Sequence, residues 1–441
     1  MAETAAAQAL PRKQFFLEMF TRDISLEDCM LDLIDNSIDS HLVRRKIEIA
    51  PLIFGNHRGT RSRGSIKVRC SEDKIQVSDD CGGIDYQDAL TNVFCFGHDP
   101  DIDKSKKLGA YGIGLKRAMF KMGEQIDIRS QTTKNGFEVS LNVPKWAEKQ
   151  DDWTIPIKET KAAKNDAEAG TEITITDLRK EVKMRIKDGS LLNRLYKDVA
   201  QTYSIFLHKC AEVSVNGDTI EPDPIPIGGS DDLEPAQDSF TENDVKVTLV
   251  AAIAPPGQRT TEKAGWYILC NGRVVVPADK TDLTAWGTGI PLFHNKFTRF
   301  IGLALFESND TLKLPWTTTK RWVNRESAIF QHARNRMASM TRPITNFLNN
   351  LYPPDPAEKT EYREMLSSVK RVELGAVAKQ PSSVFKVKNI PTRLSPDVRV
   401  VYTVSPRAME KVRKCINRPS LSNSEIGRYT FNQFLKTECP D

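Results

Sequence analysis

Asp32 and Asn36 stand one helical turn apart in Asp32-Leu33-Ile34-Asp35-Asn36. Residues four apart on a helix share a face, so both side chains point the same way. An Asn side-chain oxygen is a natural ligand for Mg²⁺, which prefers oxygen donors and keeps several waters. A carboxylate one turn away can orient or deprotonate a water aimed at a phosphate. A second stretch, Val77-Ser78-Asp79-Asp80-Cys81-Gly82-Gly83-Ile84, leaves a strand and enters a turn. A carboxylate fixed there can accept from an exocyclic amine, and Gly83 lets backbone approach a flat ring. A third, Gly109-Ala110-Tyr111-Gly112-Ile113-Gly114-Leu115-Lys116, opens a helical stretch running to Met122. Glycines at this spacing free backbone N–H groups to cradle phosphates at a helix N-terminus, and Lys116 adds positive charge. No G-K-[ST] closes the turn as in a Walker loop, and the charged run Asp99–Lys107 precedes it where a dinucleotide fingerprint needs a strand. A fourth, Gly170-Thr171, begins a β-run whose first hydroxyl can join a hydrogen-bond network around a base. Singly, each has an ordinary explanation: a solvated helix face, an Asp-Gly turn, a glycine loop, a β-branched residue in a strand.

The elements that must position these residues are readable from periodicity. Leu26–Val43 places Met30, Leu33, Ile34, Ile38 and Leu42 at a helical period, with Ser25 as cap and Asp28 three residues on. Strands are predicted at Ser65–Arg69, Lys74–Val77, Gln125–Ser130, Gly136–Leu141 and Gly170–Asp177. Helix, strands with an acidic turn, glycine turn, helix and sheet together make an α/β sandwich with one layer of helices. A second stretch, residues 186–351, is predicted to begin with a helix at Leu191–Cys210. Strands follow at Val213–Val215, Val245–Ile253 and Gly265–Cys270, and a helix at Glu326–Leu351 closes it. Within it, the acidic, Pro/Gly-rich Glu221–Asp244 reads as a long surface loop. Tyr352–Glu358, with three prolines, reads as a linker. An extended part, Val384–Val404, and helices at Pro406–Ile416 and Ser422–Thr437 complete a basic tail.

The order and spacing of the four motifs resemble the GHKL ATPase family. That family includes type II topoisomerase ATPase subunits, MutL-type mismatch-repair proteins, MORC-type ATPases, heat-shock chaperones of the ninety-kilodalton class and histidine-kinase catalytic domains. The style is closest to bacterial MORC- and MutL-like ATPases. The resemblance implies an α+β fold: a GHKL (Bergerat) sandwich over residues 1–185 with an N-terminal arm, a transducer-like domain over 186–351, and a linker with a small basic domain over 352–441. It implies ATP and Mg²⁺ as ligands. Asn36 would bind the metal, Asp79 the adenine amine, Gly83 and Ile84 would lie near the base, and Thr171 would complete the adenine network. Gly109, Gly112 and Gly114 would bound the phosphate lid, and Tyr111, Ile113, Leu115 and Lys116 beside them would also bind the nucleotide. Asp88–Lys107 would be the lid. Val213-Ser214-Val215-Asn216-Gly217 and Leu269-Cys270-Asn271-Gly272-Arg273 resemble the strand–Asn-Gly–strand units of a transducer. Such domains supply a lysine to the γ-phosphate, and Lys320 in Leu314–Lys320 is the candidate. This chain departs from the family twice. Asp32 stands where hydrolytic members have Glu, setting its oxygens about 1.5 Å further back, one C–C bond. Cys81 stands where the turn usually has Gly.

Composition narrows the function class. No apolar run reaches the roughly 18–20 residues of a membrane span, and the N-terminus lacks the pattern of a signal peptide. The eight cysteines contain no C-x-x-C pair, which disfavours a zinc site and suits a reducing cytoplasm. Residues 361–441 carry 15 Lys+Arg against 8 Asp+Glu, so the net charge of +5 is a property of the tail. Arg407, Lys411, Arg413, Lys414 and Arg418, with Arg428 and Lys436, could contact DNA phosphates or an acidic protein partner. The expected function is an ATP-driven clamp that homodimerises on ATP binding and acts on DNA or a DNA-processing partner, in repair or in restriction-like defence against phage. A nucleotide-gated binding module with little turnover stays open beside it, and so does a chaperone-like ATPase. A histidine kinase is disfavoured, because the first histidine, His41, lies inside the Asn36 helix.

Overall fold

The computed structural model describes residues 11–55, 63–96, 108–109, 112–351, 364–378, 382–388, 403–417 and 420–439. Among these, eight strands form the first sheet in the order β5–β4–β3–β6–β2–β1–β7–β8. They are β1 (Gly64–Cys70), β2 (Lys74–Asp79), β3 (Gly123–Gln131), β4 (Gly136–Asn142), β5 (Ile157–Thr160), β6 (Gly170–Leu178), β7 (Ala211–Val215) and β8 (Asp218–Thr219). Alternation sets the faces: Ile66 and Val68 of β1, Ile126 and Ile128 of β3, and Ile173 and Ile175 of β6 are all buried. The helices α2 (Leu26–Arg44) and α3 (Gly114–Met122) pack on this sheet and on each other. Preceding them, α1 (Lys13–Arg22) packs on α3.

Ser25 caps α2, its Oγ accepting from the Asp28 N–H at 3.1 Å. A surface helix buries one stripe and solvates the other. α2 does not. Beside its apolar stripe, Asp32, Asp35 and Asp39 are buried as well: α4 (Ser190–Thr202) packs on α2, Arg273 from the tip of a second sheet and Lys320 meet Asp35, and Leu108 and Gly109 lie on Asp39.

The second sheet runs β14–β13–β15–β12–β9–β16, with β11 also on β12. Its strands are β9 (Gly228–Gly229), β11 (Ala236–Glu242), β12 (Val245–Ile253), β13 (Gly265–Cys270), β14 (Arg273–Asp279), β15 (Phe300–Glu307) and β16 (Lys370–Arg371). A separate pair joins β10 (Leu233–Glu234) to β17 (Lys386–Val387). The long helix α5 (Ala328–Asn350) lies against β12 and β15. It is tied down by the Trp266 indole donating to Thr341 Oγ1 at 3.1 Å.

Several expectations are corrected. The helix predicted at Leu191–Cys210 stops at Thr202, where the chain turns inward and reverses through a left-handed His208. Val213–Val215 is not a transducer strand. It lies in β7, which adds parallel to β1, Ile66 facing Val213, so the first sheet extends well past residue 185. Glu221–Asp244 is not a surface loop: β11 pairs with β12 along Ala236–Glu242, and Ile225, Ile227 and Leu233 are buried. Its Pro, Gly and acidic residues mask edge-strand pairing. Contacts group Met1–Lys388 and Asn389–Asp441 as two compact units, and β16 joins the second sheet. Tyr352–Glu358 and most of Val384–Val404 lie outside the described residues.

The unit from Asn389 onward holds α6 (Pro406–Ile416) and α7 (Asn423–Glu438). α7 starts with a capping box between Ser422 and Glu425. Arg413 donates to Leu421 O and to Asn423 Oδ1, so that basic residue holds the turn between the helices. No helix of the described residues is long and apolar enough to cross a membrane.

Candidate active site

A cavity of about 700 Å³ opens between α2, the turn after β2, the start of α3 and the Thr318–Lys320 segment. Drug-sized and nucleotide-sized ligands occupy cavities of roughly 300–1,000 Å³. Of the residues singled out in the sequence, Asp32, Asn36, Gly83, Ile84, Gly109, Gly112, Ile113, Gly114, Leu115, Lys116 and Lys320 line it. Asp79 and Thr171 sit immediately behind the Cys81–Ile84 wall. Tyr111 and the lid segment beyond Phe96 up to Lys107 lie outside the described residues.

The back wall is a hydrogen-bonded set. Asp79 Oδ2 accepts from Ser37 Oγ at 2.7 Å, and its Oδ1 from the N–H groups of Cys81 at 2.9 Å and Thr171 at 3.4 Å. Burial raises the Asp79 carboxyl above its ordinary range, although these bonds oppose the shift. Thr171 Oγ1 lies 2.8 Å from Ser130 Oγ, which accepts the Ile84 N–H at 2.7 Å. Ser130 was missed in the sequence. Its one signal is a polar residue at an inward register after Ile126 and Ile128. Gly83 has φ +72°, and a Cβ there would stand 2.1 Å from the Gln131 carbonyl oxygen, so only glycine fits.

The opposite side of the cavity is built from α2 and α3. Asn36 is exposed into the cavity and makes no hydrogen bond among the described residues, so its amide oxygen is available to a cation. A Cβ on Gly114 would stand 2.9 Å from Asp32 Cβ and Cγ, so glycine there is what admits the Asp32 carboxyl. Lys116 behaves differently from expectation. Its ammonium is buried and donates to Val93 O at 2.7 Å and Cys95 O at 2.6 Å, and burial pushes its pKa down to about 8. It braces the Val93–Cys95 segment.

Asp39, which was not singled out in the sequence, lies on the same face of α2. Its two oxygens accept the N–H groups of Leu108 and Gly109, each at 2.7 Å. Burial outweighs those bonds and pushes its pKa from 3.8 up to about 7. A carboxyl raised in the folded chain binds its proton more tightly there. Its contribution to stability is therefore full at low pH and is lost as pH rises from about 4 through 7. At 1.36 kcal/mol per unit, the ionised Asp39 costs up to about 4 kcal/mol at pH 8. Asp39→Asn is therefore expected to flatten the pH dependence of stability between pH 5.5 and 8, as read by urea midpoints. An unchanged dependence would rule out this account of Asp39.

Lys320 reaches the cavity from beyond the second sheet, with a left-handed backbone at φ +53°. Its Nζ donates to Asp35 Oδ2 at 2.7 Å and to Asp32 Oδ1 at 3.2 Å. Asp35 Oδ1 in turn accepts from Tyr203 Oη at 2.7 Å and Arg273 Nε at 3.0 Å. All five side chains are buried. Burial raises Asp32 above the carboxylate range despite Lys320. For Asp35, Arg273 and Lys320 together outweigh burial and hold it below that range. Asp28 is engaged elsewhere, in an ion pair with Arg321.

Residues 24–176, the segment that supplies most of this cavity, match a family model described as histidine kinase-, DNA gyrase B- and HSP90-like ATPase. No curated protein matches the chain. Cavity, glycine cradle and family match agree: residues 24–176 are a GHKL-type ATPase domain, an ATP-binding module of α+β fold.

Proposed function

We propose that the chain is an ATP-driven conformational clamp in which Lys320 carries the state of the nucleotide from the cavity to the second sheet. The observation that carries this reading is the ion pair of Lys320 with Asp32 and Asp35 inside the cavity. Asp79 and the Ser130–Thr171 pair take the adenine, and the N–H groups at Gly112–Gly114 take the phosphates. Mg²⁺, held by Asn36, neutralises phosphate charge when bound. Lys320 moves from the two carboxylates to the γ-phosphate. Asp32, relieved of its cation, orients a water and accepts its proton. Supporting a role for the N-terminal arm, Phe16 of α1 packs edge-on to Phe96 at 4.9 Å, and Phe96 lines the cavity. Closure of a homodimer through that arm, on DNA or a DNA-processing partner met by the basic tail, completes the clamp. Its setting in repair or phage defence, and in the cytoplasm, rests on the resemblance.

The second reading, a nucleotide-gated binding module with little turnover, draws on the same pair: an Asp32 carboxylate tied to the Lys320 ammonium is a poor base at rest. Both readings require the site itself. Asn36→Ala is expected to weaken Mg²⁺·ATP binding at least about tenfold, as loss of metal-site contacts does. Its melting temperature should stay near wild type, since the Asn36 side chain has no hydrogen-bond partner to lose among the described residues. Equal affinity in a calorimetric titration would remove Asn36 from the site.

A further inference from the structure

The role of Asp35 raises a problem that the clamp reading leaves unsolved. If Lys320 leaves for a phosphate, Asp35 remains behind, fully buried. A buried carboxylate stripped of its partner is strongly unfavourable, so by itself Asp35 would keep Lys320 where it is. The structure contains a second cation at that point. Arg273 is 1% exposed, and its Nε donates to Asp35 Oδ1 at 3.0 Å while Nη1 donates to the Lys320 carbonyl at 2.6 Å. One guanidinium therefore grips both the carboxylate that Lys320 would abandon and the backbone from which Lys320 reaches.

Arg273 is held there from the second sheet. It follows the Asn271-Gly272 turn of the β13–β14 hairpin, where both residues have positive φ. Asn271 exchanges two hydrogen bonds with Ser308, each at 3.0 Å, which fixes the hairpin tip to the end of β15. A Cβ on Gly272 would stand 3.0 Å from Phe206 and 3.3 Å from Ile49, so the tip is driven against the first sheet's own elements. The planar fork of an arginine suits two fixed acceptors in a way that a lysine cannot.

We propose that Arg273 is a positioning residue that acts as the standing counter-ion of Asp35, allowing Lys320 to transfer to the γ-phosphate while its backbone stays anchored. At rest, Asp32 and Asp35 face Arg273 and Lys320, two charges of each sign. After transfer, Asp35 keeps Arg273 and the Tyr203 hydroxyl, and only Asp32 is left without its ion-pair partner, which is the condition for it to work on a water. Without Arg273, Asp35 would hold Lys320 and the γ-phosphate would go unread.

This inference rests on the ATP reading, and the test separates the two. Full-length wild type, Arg273→Gln, Arg273→Gln/Asp35→Asn and Tyr203→Phe are titrated calorimetrically with ADP and with the non-hydrolysable analogue AMP-PNP, each with Mg²⁺. Wild type is expected to prefer AMP-PNP. Arg273→Gln should bind ADP within threefold of wild type but lose at least tenfold of the AMP-PNP preference. The double variant, in which Asp35 no longer needs a counter-ion, should recover most of it. A merely structural arginine predicts no such rescue. The proposal is overturned if Arg273→Gln keeps the wild-type preference, or if the double variant is folded and recovers none. Should Arg273→Gln fail to fold, Tyr203→Phe decides: it should lose preference in the same direction, and a wild-type ratio would overturn the idea. Wild type that binds neither nucleotide would refute the ATP reading itself.

Discussion

Lys320→Met is expected to lower ATP turnover by about a hundred- to thousandfold, the usual cost of removing one preorganised group that meets developing charge. The affinity for ADP should change little, because Lys320 enters from the side of Asp32 rather than from the Asp79 wall. The substitution also has a stability signature. Asp35 keeps Arg273 and Tyr203, but Asp32 loses its ion-pair partner and would sit ionised in a buried place. Asp32 is already raised by burial, and without Lys320 it rises further. The variant should therefore lose more stability than wild type as pH rises above the ordinary carboxylate pKa, and recover at low pH where Asp32 is protonated. Steady-state phosphate release and urea melts at pH 6 and 8 measure both effects. Turnover within threefold of wild type would take Lys320 out of the reaction.

Asp32→Asn is the second large effect. A positioned general base contributes typically about 10²- to 10⁴-fold, so turnover should fall by that much. Binding of AMP-PNP should hold or tighten, because Lys320 is then held back by Asp35 alone. A drop in turnover with binding intact is the pattern of a group needed only in the transition state. The same assay discriminates between the two functional readings. A clamp that hydrolyses shows a wide gap between wild type and Asp32→Asn. A nucleotide-gated module shows tight binding and no gap.

What the sequence made legible was local. Asp32 with Asn36, the Asp79 turn and the glycine turn declare themselves through spacings of a few residues, and the structure gathers them around one cavity. Asp35 stood inside a quoted motif yet gave no signal, because its partners Arg273 and Lys320 are 238 and 285 residues away. Asp39 carried no local signal of its own, because its partners Leu108 and Gly109 are 69 and 70 residues away. Lys116 was legible as charge but not as direction. Its length lets it turn from the cavity to two carbonyls. Propensity also failed where edge strands carry loop-like residues, as in Ala236–Glu242. The helix of the tail fared better: Pro406–Ile416 begins at a Ser405 cap and ends at a left-handed Asn417, signals written in the residues themselves.

The parallel pairing of β7 with β1 has a consequence for synthesis. β1 is complete by residue 70, but its partner spans residues 211–215. During translation the outer rim of β1 presents unpaired N–H and C=O groups until that later segment has left the ribosome. Such a rim is a template for pairing with another chain, and long-range parallel closure is slow. The nucleotide domain therefore cannot finish as a unit at the end of its family-matched segment, residue 176. Its last seam is sewn by residues that also lead into the second sheet, so the two halves come to maturity together rather than in turn.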